Sequence, residues 1–149
     1  MATSRSAATY TTLNILPLLI FPLVIYNLLH FVGAGSGWVL STPFQVGLIS
    51  TDYWAVTYGD IFVSLSLLML FIEIVKSTRT DASSIINHGL SMALALVCVL
   101  EFVTIPGFGT SAFFFLTLMQ ILDVVAGFTV TIVAAKRDFG SAGGIAGTN

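Results

Sequence analysis

Apolar residues gather in four long runs, 13–33, 53–75, 84–105 and 111–135, and all five Lys and Arg residues lie outside them. About 20 apolar residues cross the roughly 30 Å of bilayer hydrocarbon as a helix, so each run is long enough to span. "FVSLSLLMLFIEIV" and "LSMALALVCVLEFV" are nearly continuous, unlike the alternating segments of about ten residues that build membrane barrels. The pattern predicts an all-α integral membrane protein, a bundle of four transmembrane helices forming one membrane domain over 1–149 with a flexible tail at 139–149.

Finer features follow. In the first connection, "STPFQVGLIS" offers Ser41 or Thr42 as a cap and Pro43 as a first helical position, which predicts a short interfacial helix. Phe44, Val46, Leu48 and Ile49 would enter the interface, with Trp38, Tyr53, Trp54 and Tyr58 as an aromatic belt. Thr80 or Asp81 is placed to cap the third span. Pro22, inside the first run, is expected to kink its helix. That run exceeds the 7 to 15 residues of a signal-peptide core, so it is read as a retained span.

Charge sets the expected orientation. Arg5, Lys76, Arg79, Lys136 and Arg137 fall before the first run, between the second and third, or after the fourth. By the positive-inside rule both termini and the central connection face the cytoplasm, as in a bacterial inner-membrane protein.

The composition narrows function. Of 149 residues, 56% are hydrophobic and 8% charged, against about 25% charged in soluble domains. The four runs leave no room for a soluble catalytic domain. A single Cys98 precludes an internal disulfide or a CxxC pair and reads as a small packing residue. A net charge of −2 without a basic stripe argues against nucleic acid. No Walker A, GxSxG or HExxH signature occurs, and no cofactor or metal is implied. His30 and His88 belong near opposite surfaces, which disfavours a two-histidine haem.

The ionisable residues within the runs are the informative departures, because each is costly in hydrocarbon and needs a partner, water or a function. Glu73, three residues before Lys76, predicts an interfacial ion pair. His88 lies near the same inner surface with Ser84, Ser91, Met92 and Ala95. Toward the outer side His30, Asp60 and Glu101 fall at similar depth, suited to a hydrogen-bond network, proton sharing or a cation. Asp123 sits mid-span, too deep for its short side chain to reach either surface. Helical periodicity puts it on one face with Met119, Gln120, Ala126, Gly127, Thr131 and Ala134, opposite Phe114, Leu118, Ile121, Val125, Phe128 and Ile132. It is expected either to be protonated, donating to a carbonyl or to Gln120, or to be attended by a cation, water or another subunit.

Small residues, Gly89 and Ala93 on the third span and Ala126 and Gly127 on the fourth, suit close helix packing. The expected role is a non-catalytic accessory, assembly or structural subunit, packed in the bilayer against other membrane subunits or itself. The alternative is a proton- or cation-coupled small transporter or channel using the intramembrane carboxylates.

Overall fold

The computed structural model describes residues 16–33, 35–78 and 82–143. Within these the order is α1 (Ile20–Val32), a 3-10 turn (Ser36–Leu40), strands β1 (Phe44–Gly47) and β2 (Tyr53–Val56), then α2 (Tyr58–Ser77), α3 (Ala82–Thr104) and α4 (Ser111–Gly143). The caps expected at Thr80 or Asp81, like residues 13–15 and 144–149, lie outside the described residues.

Three helices are long and apolar enough to cross a membrane: Tyr58–Ser77, Ile85–Thr104 and Ser111–Arg137. At 1.5 Å per residue the 20 residues of α2 reach about 30 Å. The first run differs. α1 has 13 residues, about 20 Å, because the chain at 16–19 forms turns before entering the helix. Pro22 therefore falls in the first helical turn, where its absent N–H would have had no intrahelical acceptor, and it removes no hydrogen bond. The kink expected there has no cause. At the other end α4 continues to Gly143, so 139–143, expected in the loose tail, are helical.

The connection after α1 corrects a second expectation. Instead of an interfacial helix, Phe44–Gly47 and Tyr53–Val56 pair antiparallel, with Phe44 opposite Val56 and Gly47 opposite Tyr53, so the fold is not purely helical. Aromatic and β-branched residues favour the extended chain, and "LISTD" turns it: Leu48 N–H donates to Asp52 O at 2.8 Å and Thr51 adopts φ 71°. Residues 53–56, assigned by pattern to the second span, belong to this hairpin. α2 begins beyond it in a capping box. Asp60 N–H donates to the Thr57 hydroxyl, and Thr57 N–H donates to Asp60 Oδ2 at 2.9 Å.

α4 packs most extensively against α2 and α3, and α1 lies across it. At the hairpin end the core is aromatic. Tyr26, fully buried, has ring contacts with Trp38, Phe62, Phe108 and Phe113 at 4.7 to 5.7 Å, and its hydroxyl meets Thr110 Oγ1 at 2.7 Å. Trp38, expected in the outer belt, thus turns inward, while Tyr53, Trp54 and Tyr58 stay exposed. Farther down, Leu19, Leu23, Leu70, Cys98, Leu116 and Met119 continue the core. The faces of α4 follow the helical period as far as Gly127: Met119, Gln120, Asp123 and Gly127 are buried, and Phe114, Leu118, Ile121, Val125, Phe128 and Ile132 are exposed, but Thr131, expected on the inward face, is exposed as well.

Candidate functional site: a sealed polar cluster

At the opposite end from the hairpin, polar side chains from three helices meet around the beginning of α1. Glu73, on α2, is 0% exposed. Its Oε1 accepts from Asn87 Nδ2 at 2.6 Å and pairs with Lys76 Nζ at 2.9 Å. Its Oε2 accepts from the Leu18 N–H at 2.9 Å. Leu18 precedes α1, whose first N–H groups have no intrahelical acceptor, and α1 has no side-chain cap of its own. A carboxylate from another helix fills that place and lies at the positive end of the helix dipole. The Glu73–Lys76 pair read from the spacing is present, with Glu73 buried within the bundle and Lys76 15% exposed.

Lys76 is similarly committed. Besides Glu73 its ammonium reaches Leu16 O at 2.8 Å and Asn87 Oδ1 at 3.3 Å. Gln120, fully buried on α4, donates from Nε2 to Leu19 O at 3.1 Å. α2 and α4 thereby hold the backbone leading into α1 directly, and Asn87 on α3 braces the α2 pair that does so.

Asp123, 1% exposed, lies one helical turn from Gln120 on the same face. Its electrostatic neighbours are Ser91 and His88 on α3 and Glu73 and Lys76 on α2. The His88 ring lies against Gly127: a Cβ there would sit 2.6 Å from His88 Cε1 and 3.0 Å from Cγ. Gly127, expected as a packing glycine, is what makes room for the imidazole. His88 opposite Gly127 and Ser91 beside Asp123 define the antiparallel register of α3 on α4. Among the described residues Ser91 Oγ, Gln120 Oε1 and Asp123 Oδ2 are buried with no close hydrogen-bond partner, though Ser91 still acts on the Asp123 carboxyl. Asp123 donating to Gln120, one expectation for it, is not the arrangement found.

The outer residues do not converge. Asp60 is exposed and caps α2. Glu101 accepts from Asn27 Nδ2 at 3.0 Å, and His30 packs edge-on to Phe108 at 4.5 Å beside Gly107, whose φ of +89° turns the chain between α3 and α4. Among the described residues no three His, Cys, Asp or Glu side chains form a group that could hold a metal ion. Gly89 and Ala93 are exposed on α3, and a Cβ on Gly89 would meet nothing within 4 Å, so neither packs into the bundle formed by the described residues. Ala126 is half-buried.

Sequence reasoning missed Asn87 and the backbone at 16–19. Asn87 does stand one residue before His88 in a helix that carries a buried His and Ser, and that was the available signal. Compared with protein-family models, curated proteins and solved structures, the chain matches none.

Proposed function

We propose that this chain is a small, non-catalytic accessory or assembly subunit of a membrane complex, associating with other membrane subunits or with itself through its lateral surface. The observation that carries this reading is the use made of the buried polar groups. Glu73, Lys76 and Asn87 bond to one another, Glu73, Lys76 and Gln120 bond to the backbone of Leu18, Leu16 and Leu19, and Asp123 is buried beside them at 1% exposure. Three surface grooves, lined mainly by apolar side chains, run beside α1 or beneath the hairpin, away from this cluster. Its polar chemistry is directed at holding four helices together, and the exposed side chains of α2, α3 and α4 are overwhelmingly apolar. Exposed Gly89 and Ala93, four residues apart on α3, leave a shallow face that another helix could approach closely.

Extraction in mild detergent tests the proposal. A defined complex or homo-oligomer that survives purification is the expected result; a monomer with no stoichiometric partner removes it.

The buried Ser91 Oγ, Gln120 Oε1 and Asp123 Oδ2, with no close hydrogen-bond partner among the described residues, favour a second reading, a proton- or cation-coupled transporter. Ion flux in proteoliposomes that Asp123→Asn abolishes is the result that would replace the first reading.

A further inference from the structure

Were both carboxyls of the polar cluster ionised, the single ammonium of Lys76 would not balance them. Glu73 presents its two oxygens to three donors, the Leu18 N–H, the Asn87 amide and the Lys76 ammonium, the environment of a carboxylate. Lys76 has three N–H groups, and Glu73, Leu16 O and Asn87 Oδ1 take all three. That pair cancels. Asp123 is a second carboxyl, as deeply buried, and among the described residues no ammonium or guanidinium forms an ion pair with it.

A lone negative charge in hydrocarbon is strongly disfavoured, so something must neutralise it. The ionisable groups facing Asp123 are Glu73 and Lys76 from α2 and His88 from α3; α1 approaches through the backbone of Leu18 and Leu19. Among the described residues whose charge acts on Asp123, Glu73 and Lys76 are engaged with each other, and His88 is the third. Its ring is brought to that face of α4 by Gly127, one turn from Asp123. Ser91, whose hydroxyl can donate and accept, stands beside Asp123.

We propose that the interface of α3 and α4 is a binding site for one exchangeable proton, held by Asp123 and His88 together. The proton resides on Asp123, leaving a neutral acid beside neutral imidazole, or on His88, leaving carboxylate beside imidazolium; both arrangements bring the cluster to zero charge. The site rests on neither reading of function and is compatible with both.

The test uses the full chain in lipid nanodiscs at neutral pH, with two readouts. Histidine 15N resonances report the charge of His88, since the chain has only two histidines and His30→Gln assigns them. Infrared spectra in H2O and D2O report a carboxylic-acid C=O stretch, assigned by its loss in Asp123→Asn. The expected result is one signal: an Asp123 acid band with neutral His88, or imidazolium at His88 with no acid band. Neither signal, as when a metal cation takes the place, overturns the proposal, and so do both in full. Should Asp123→Asn fail to fold, 13C labelling of aspartate in the unaltered chain, which has five, supplies the carboxyl readout.

Discussion

Glu73 shows how one side chain can serve two helices. It lies in α2, yet its Oε2 accepts the free Leu18 N–H at the start of α1 while its Oε1 meets Lys76 and Asn87. Glu73→Gln leaves the Lys76 ammonium without its counter-charge in a nearly closed site, and removing one partner of a buried pair costs about 3 to 5 kcal/mol. Unfolding in detergent should show a loss near the lower end, since Lys76 keeps 15% of its side chain exposed. Gly127→Ala drives a methyl into the His88 ring and should cost about 1 to 3 kcal/mol, as overpacking does. Gly89→Ala, with open space at its Cβ, should match or exceed the parent stability by up to about 1 kcal/mol, the propensity gain in a helix. The inward face of α4 was legible because period and polarity agree along Gln120, Asp123 and Gly127. The burial of Glu73 was not: near the end of a run it looks free to reach the headgroups, and only the fold reveals that the entry to α1 occupies that space.

Local rules competed along the connecting elements, and tertiary context chose between them. "STPFQVGLIS" carries a cap and a proline at the right spacing for a helix start, but the residues after them, Phe44 and Val46 across from Trp54 and Val56, are better suited to paired strands. Had the second run been cut before Thr57, which with Asp60 forms a capping box, the strand would have been separable from α2 in the sequence. Thr57→Ala removes the cap and should destabilise by about 1 kcal/mol, measured by thermal unfolding. Thr51, at φ 71°, holds a left-handed conformation that costs a side-chain-bearing residue about 1 to 2 kcal/mol. Thr51→Gly should therefore raise stability by a fraction of that, the remainder offset by glycine's greater freedom in the unfolded chain. The first run illustrates a different limit. Its hydropathy is continuous, yet Pro17 and the turns around it delay the helix to Ile20, a local stop that hydrophobicity does not register.

For the whole molecule, three helices long and apolar enough to cross a membrane could be read from run length, whereas the fourth span read from the first run is a helix of only 13 described residues. The convergence of polar groups could not be read that way, because Leu18, Glu73, Asn87 and Gln120 are spread over four segments and periodicity says nothing about which faces meet. On the lateral surface, Gly89→Leu with Ala93→Leu should weaken co-purification or self-association severalfold while leaving the unfolding midpoint of the isolated chain within a few degrees, as both positions are exposed. Loss of stability in parallel with association would instead mean that this face supports the bundle itself.

The bond from Gln120 to Leu19 O spans 101 residues and sets the order in which the protein can be finished. At a synthesis rate of about 5 to 20 residues per second, Leu19 leaves the ribosome about 5 to 20 s before Gln120 is made. Throughout that interval the entry to α1 is in or near the bilayer with its backbone only partly bonded, first relieved when Glu73 arrives and completed when α4 docks. The first helix to be made is thus the last to be locked, and a chain stalled before α4 would present an unfinished surface to membrane quality control.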